Sequence, residues 1–396
     1  LSTVKSLARS RINNENKRIN TLPSKPNHSN NVIRLNHSTQ TSWVSRDAGR
    51  SSIACIPFRA HARWRHMLKH VSEGLRKQTY RNFEVVVVFK PIDDETANIL
   101  REFSKDLPVK TIMQKDGFVP EAYNLGIENA SGEIIAFLDD DAVPYPNWLE
   151  EYVKTYNKYD RVGGVSGTTE SANLTKDGKI TRVPEDSVYP HRKRLKYYDF
   201  PWSRPLNGMS NWLIYFGKDG LVHHSPLIEN QEKLVLPSLL YMGANMSVKS
   251  EALEGIKISE NSFLGFAFEQ LLSFQIWQKG FNLLFNPKAK VLHFIHKEST
   301  GRFYARPKRA ALRDAEYVLT YLSLKSKVKA ISWPAYALGV SQLILARILR
   351  AKNYGPIVSI YRVYGLLHGF VITNSSIISG TLGGKFSIRN SLAKLL

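Results

Sequence analysis

The segment that most constrains the fold is FEVVVVF, residues 83–89, a run of β-branched and aromatic residues broken only by Glu84. A strand with one wet face alternates apolar and polar residues. A continuous run like this one suits a strand covered on both faces, as in a parallel sheet packed between helices. The flanking sequence fits that setting. Ile53–Pro57 reads as a short buried strand, Trp64–Lys77 has helical apolar spacing, Asp94–Phe103 is helical, and Val109–Met113 is strand-like. Pro120–Ala130 is helical again, and Glu133–Leu138 (EIIAFL) is a strand running directly into Asp139-Asp140-Asp141. Strand and helix alternate four times within about 90 residues, which predicts an α/β fold built on a doubly wound sheet with right-handed crossovers.

The 396 residues suffice for two or three domains, and a composition of 43% hydrophobic and 11% aromatic residues is that of a globular chain. The single cysteine, Cys55, excludes an intrachain disulfide framework and a cysteine-based zinc module, and fits a reducing compartment. The net charge of +21 is concentrated at the ends: 1–50 carries +7, 302–396 carries +13, and 51–301 only +1. Basic ends on a near-neutral body point to contact with an anionic surface, such as membrane headgroups, rather than to a nucleic-acid-binding body. Nucleic acid is therefore not expected as a partner. The expected division is a basic, mostly disordered arm over 1–48, an α/β domain over 49–300, and a basic, apolar helical region over 301–396. The arm holds no apolar run of signal-peptide length, so nothing in it argues for secretion.

Residues 170–235 are irregular and include the basic stretch 191–196; they read as an excursion that covers or shapes a site. Leu239–Met246 and Val291–Ile295 are expected strands, with a helix over 268–279 between them. Segment 308–325 is an amphipathic helix with a basic flank. Two apolar stretches follow, 331–349 and 356–380, interrupted by Pro334 and Arg347 and by Arg362 and His368. A bilayer span needs about 20 uninterrupted apolar residues, whereas interrupted stretches with basic flanks fit helices lying in the membrane interface. The competing reading is an ordinary helical subdomain packed on the body.

Asp139, Asp140 and Asp141 follow a strand at its carboxyl end, where open α/β sheets place their ligands. Adjacent carboxylates repel one another, and a shared divalent cation relieves that repulsion while neutralising phosphate oxygens.

These residues resemble the family 2 glycosyltransferases with the GT-A nucleotide-sugar-binding fold, over about residues 51–300. SSIACIPFR and QTYRNFEVVVV are similar to the family's first two strands. Gly117, Ala122, Asn124, Gly126, Ala130 and Gly132 fall on its GxxxxAxNxGxxxAxG spacing, and FLDDDAVPYPNWLE resembles its DxD segment. GANMSVKSEAL (243–253) and the stretch 265–296 resemble its acceptor-side and catalytic-carboxylate segments. The resemblance implies an inverting, metal-dependent transfer of one sugar from a nucleotide-sugar donor to a lipid-linked or glycan acceptor. It implies donor contacts from Pro57, Asp94, Asn124, Asp139 and Asp140, and an acceptor side at Gly243, Asn245 and Met246. It also implies Glu269 as the acceptor base, and Mn2+ or Mg2+ held by Asp141, Asp139 and His293, with His296 as the alternate histidine. With the C-terminal region, it places the protein on the cytoplasmic face of the cell membrane, peripheral or monotopic.

The chain departs from the family pattern in places. Lys90 stands where an Asp usually holds the nucleotide base, so Asp93 or Asp94 must substitute or base recognition must differ. Gln270 replaces the second member of an acidic pair, and Tyr123 replaces an Arg. The QxxRW pattern of processive polymerases is absent, so single-sugar transfer is expected. Lys90 and Gln270 also motivate an alternative, a catalytically degenerate sugar-nucleotide-binding or membrane scaffold protein.

Overall fold

The computed structural model describes residues 51–58, 65–175, 178–183, 200–225, 234–294, 306–378 and 388–395. The arm over 1–48, the basic stretch 191–196 and His296 lie outside the described residues.

The first half is the expected alternation: β1 (Ser51–Phe58), α1 (Arg65–Arg76), β2 (Phe83–Phe89), α2 (Asp94–Phe103), β3 (Val109–Met113), α3 (Val119–Asn129), β4 (Ile134–Leu138), β5 (Ala142–Pro144) and α4 (Trp148–Lys158). The second half adds β6 (Val162–Leu174), β7 (Ile180–Arg182), the hairpin β8 (Ile214–Phe216) and β9 (Val222–His224), β10 (Leu236–Pro237), a 3-10 turn at Gly243–Asn245, β11 (Met246–Lys249), α5 (Ser250–Leu253), α6 (Phe268–Gln278) and β12 (Asn282–Phe294). The helical region contributes α7 (Pro307–Val318), α8 (Thr320–Lys325), α9 (Trp333–Leu349), α10 (Ala351–Tyr354), α11 (Pro356–Ile378) and α12 (Ile388–Ala393).

The main sheet has ten strands and is mixed. Its path is β10-β12-β6-β11-β4-β1-β2-β3, with β5 and β7 attached at β12 and β6. Strands β4, β1, β2 and β3 are mutually parallel, and β11 runs antiparallel between β4 and β6. Val85, Val86 and Val88 are fully buried, as the unbroken apolar run requires. The strand order switches at β1 and β4, the point beyond whose carboxyl ends open α/β sheets place their ligands, and Asp139 opens the turn there.

Two expectations from sequence change here. The strand expected over Leu239–Met246 is displaced to Met246–Lys249, because the chain breaks into a turn at Met242 (φ 64°) and Gly243. Much of the described part of the 170–235 excursion is a core element. Leu206, Met209, Trp212, Phe216 and Leu221 join one apolar cluster with Phe274 and Trp277 of α6.

That same cluster takes in Val318, Tyr321, Tyr336, Val340 and Leu366, so the apolar core runs on from the α/β body into the helical region without a break. Within that region α7 and α11 cross closely: a Cβ on Gly365 would collide with the Ala311 carbonyl. The arginines that interrupt the two apolar stretches are accounted for by Asp314. Its carboxylate, 2% exposed, receives Arg347 at 3.0 and 3.1 Å and Arg362 at 2.7 and 3.1 Å. Burial alone would raise the Asp314 pKa, but the two guanidiniums outweigh it and hold the carboxyl well below the usual range.

Removing one partner of such a cluster leaves buried charge uncompensated. Asp314→Asn is expected to lower unfolding stability by about 3–5 kcal/mol, read by denaturant titration. Because the folded pKa is depressed, the wild-type contribution is present above the unfolded carboxylate value and fades as pH falls below about 4. The mutant should lack that acid-dependent component.

Candidate active site

Strand β4 is buried along its whole length, and its carboxyl end delivers Asp139, Asp140 and Asp141 to half-buried positions at the switch in strand order. β5 then pairs antiparallel with β12, with Ala142 opposite His293, and the Phe294 N–H donates to the Asp141 carbonyl at 2.9 Å. This register brings His293 to the carboxylates. Its Nε2 lies 3.2 Å from Asp141 Oδ1 and 3.8 Å from Asp139 Oδ2. One ligand atom from each of Asp139, Asp141 and His293 lies within 4.8 Å of the other two. Burial opposes the His293 charge, yet the Asp141 and Asp139 carboxylates raise its pKa well above the ordinary value.

Facing this cluster is Glu269, in the first turn of α6. The helix begins at Ala267, a non-glycine residue in the left-handed region (φ 66°), and Glu269 Oε1 accepts the Gly243 N–H at 3.0 Å. Burial pushes the Glu269 carboxyl up to about 7; the Gly243 N–H bond lowers it and the nearby Asp139 charge raises it further. Tyr123, 4% exposed, is within reach of both charges, its pKa raised well above 10 by burial and by Asp139 and Glu269. Tyr123 packs directly against Gly243, where a Cβ would overlap the tyrosine hydroxyl. This is why the position takes no side chain.

The other residues marked in the sequence have varied placements. Gly243 is at the site through its backbone. Asn245 is fully buried and structural: its Oδ1 accepts from Trp148 Nε1 at 2.7 Å and Tyr152 Oη at 2.5 Å, and its Nδ2 donates to the carbonyls of Thr168 and Ala289. Met246 lies in the core. Asn124 is 4% exposed and bonds to both backbone groups of Ile258 and to Glu260. Pro57 is in β1, next to β4 in the sheet. Asp94 is exposed in the first turn of α2, and Asp93 is that helix's N-cap, accepting from the Thr96 N–H at 2.9 Å. Lys90 donates to the Gly117 carbonyl at 2.8 Å, tying the end of β2 to the loop before α3. Gln270 donates to the Leu240 carbonyl at 3.0 Å, a bond an ionised acid there could not make.

Sequence reasoning missed the contact of Tyr123 with the Gly243 turn, and it missed Glu316. The Glu316 carboxylate accepts three N–H bonds from the loop before α6. Its only trace in the sequence was an acid on a basic helix.

Residues 54–215 match the family model described as Glycosyl transferase family 2. This segment is a family 2 glycosyltransferase domain. EpsH of Bacillus subtilis (strain 168), a glycosyltransferase by name, is 30% identical over 139 residues, covering 33% of this chain and 40% of that protein. Glycosyltransferase AglE of Haloferax volcanii is 41% identical over 97 residues, covering 23% of this chain and 32% of that protein. The matched stretch thus spans less than half the length of either relative. Mannosyltransferase PcManGT from Pyrobaculum calidifontis, solved in complex with GDP-Man and Mn2+, is 16% identical with a TM-score of 0.45, covering 83% of this chain and 88% of that one. The mixed sheet with helices on both faces is consistent with the GT-A fold.

The Tyr123–Gly243 contact makes a test independent of chemistry. Gly243→Ala should lower stability by about 1–3 kcal/mol through overpacking. Tyr123→Phe should recover part of that loss, giving a coupling energy of at least about 0.5 kcal/mol in a double-mutant cycle read by chemical denaturation.

Proposed function

We propose that the protein is an inverting, metal-dependent glycosyltransferase that moves one sugar from a nucleotide-sugar donor to an acceptor hydroxyl. The observation that carries this reading is a carboxyl with its pKa raised to about 7, Glu269, set against the Asp139–Asp141–His293 cluster.

A general base works best when its pKa is near the working pH, and a positioned base is typically worth about 10² to 10⁴ in rate. Glu269 meets that condition. Gly243 holds Oε1, which leaves Oε2 to take the acceptor proton. The Gly243 bond fixes the carboxylate's orientation, and Tyr123 walls it off from water on one side. The cluster's donor set, two carboxylates and one imidazole, fits Mn2+ and accommodates Mg2+ less well. Asp139, Asp141 and His293 would hold the ion, which when bound supplies charge neutralisation for the leaving diphosphate. The strong pull of the two carboxylates on the His293 proton fits a site built around positive charge. Lys90 and Gln270, the departures that suggested a degenerate scaffold, both have structural bonds, so neither argues against turnover.

Glu269→Gln is expected to lower transfer by about 10² or more while leaving folding and donor affinity nearly intact. The assay is nucleoside diphosphate release from UDP- and GDP-sugars with Mn2+. Wild-type rate should rise with pH through about 7, because the base must be deprotonated and burial raises its pKa. A variant that keeps more than about a tenth of the rate would move the role to Asp116, Glu121 or Glu260.

We propose further that the acceptor is lipid-linked and that the protein attaches to the cytoplasmic membrane face; what the helical region supports is contact with a membrane. By length and composition α11 could cross a bilayer, but about half of it is buried on the protein, with Arg362 paired inside. Its outer side carries exposed Ile357, Ile360, Tyr364, Leu367, Val371 and Ile378, recurring every three, four or seven residues. Trp333, Leu338, Leu345, Ile348 and Leu349 of α9 are also exposed. An apolar stripe outside and a paired arginine inside suit a helix seated in the membrane interface. The intact protein should co-sediment with anionic vesicles, be released only partly by high salt, and lose binding in Ile360→Glu/Val371→Glu with its fold unchanged. Failure of the wild type to bind such vesicles would make the region an ordinary subdomain.

A further inference from the structure

We infer that Glu316, on α7 of the helical region, is the positioning residue for Glu269. The inference rests on the reading of Glu269 as the acceptor base. Glu316 is 3% exposed, and its carboxylate is turned onto the loop that enters α6. Oε1 accepts the Phe263 N–H at 2.7 Å and the Leu264 N–H at 3.1 Å, and Oε2 accepts the Phe266 N–H at 3.0 Å. Three backbone donors within four residues thus converge on one side chain 50 to 53 positions away in sequence.

That loop is unusual in its backbone. Gly265 and Ala267 both have positive φ, 67° and 66°, and Ala267 begins α6 with no side-chain cap. A left-handed alanine persists only where its surroundings over-determine it. Glu316 provides that constraint, because holding the N–H groups of 263, 264 and 266 fixes the path of the chain up to Ala267. Glu269 follows two residues later, so the direction of its carboxylate is set by the same path. A second C-terminal element pins the loop from another side. The Arg389 guanidinium lies 5.0 Å from the Phe263 ring centroid and 4.8 Å from that of Phe118, and its NH1 is 2.6 Å from Glu121. The helical region therefore completes the catalytic apparatus as well as carrying the exposed apolar stripe.

A near-isosteric change separates positioning from bulk packing. In Glu316→Gln, Oε1 still accepts two N–H groups, but the amide nitrogen opposite Phe266 cannot accept. Glu316→Asp keeps the charge and retracts it by one methylene. Both are made in the full chain, beside a control, Tyr336→Phe, which removes the buried bonds from α9 to Thr373 on α11 (3.1 Å) and to the Val318 carbonyl on α7 (3.4 Å) without touching the Glu316 carboxylate. Two readouts need no substrate: hydrogen exchange of the 263–268 amides, and titration of the Glu269 carboxyl by carbon NMR. In Glu316→Gln, exchange of that segment should quicken by about tenfold or more while the central strands are unchanged. The Glu269 midpoint should fall from about 7 toward the ordinary carboxylate range as water reaches it. With UDP- and GDP-sugars, kcat should drop by about 10²-fold at near-constant donor KM, and the acid limb of the profile should move to lower pH.

Unchanged loop exchange and an unchanged Glu269 midpoint in both variants would overturn the proposal. So would the same changes in Tyr336→Phe, which would signify general loosening, or loss of folding in both Glu316 variants, which would make the residue purely structural. Full activity in Glu269→Gln would instead remove the base assignment, and the exchange data would still report whether Glu316 orders the loop.

Discussion

The site depends on one strand pairing, β5 against β12. Without it, β4 would end in three carboxylates facing water, and His293 would be a residue on a distant strand. With Ala142 opposite His293, the second half of the sheet folds back onto the turn after β4, and the imidazole meets Asp139 and Asp141. β12 in turn pairs in parallel with β6, and β11 runs antiparallel between β6 and β4, which joins this half of the sheet to the parallel one. Repulsion among carboxylates, which would otherwise destabilise the turn, is eased here by the adjacent imidazole, whose pKa the two carboxylates raise.

The opposite wall is built by strain and burial rather than by pairing. Met242 and Ala267, both at positive φ, flank the two backbone segments that meet at the Gly243–Glu269 bond. Neither residue is a glycine, so the cost is borne by surrounding contacts: Tyr123 and Phe268 beneath the turn, and Glu316 behind the loop. The result is a carboxyl desolvated enough to titrate near neutrality yet anchored by one N–H, a combination free loops do not provide.

Periodicity made the first half of the fold legible almost to the residue: β2, α2 and β3 have the expected bounds, α3 is shifted by one residue at each end, and α6 differs by one residue at its C-terminal end. The carboxylate cluster was equally legible, since an apolar strand ending in acids has few other uses. The approach of His293 to the acids was not, because it depends on the register of β12, which shifts between Asn286 and Lys290. Asn124 and Asn245 resisted for another reason. A polar side chain inside a motif reads the same whether it contacts a ligand or satisfies buried backbone, and here both amides are committed to backbone and buried side-chain partners. Glu316 was illegible because a helix pattern records which face is buried, not which distant N–H groups wait there.

The charge of the C-terminal region illustrates the same limit and changes its meaning. Its +13 suggested a broad electrostatic attraction to an anionic leaflet. In the structure Arg347 and Arg362 neutralise Asp314, Arg389 is spent on Glu121, Arg313 lies 4.4 Å over the Phe266 ring, and Lys325 donates to the Ile331 carbonyl. These cations hold the helices to one another and to the catalytic loop. Exposed Arg306, Lys308, Lys327, Lys329, Lys352 and Lys394 remain on the surface among the described residues, and each such residue contributes about 1 kcal/mol beside an anionic surface. Affinity for a bilayer would then combine this reduced charge with the apolar stripe of α11 and its neighbours on α9, and only the charged part would weaken with ionic strength. Part of the basic character of this region thus stabilises the fold, and its exposed remainder lies on the same region as the apolar surface.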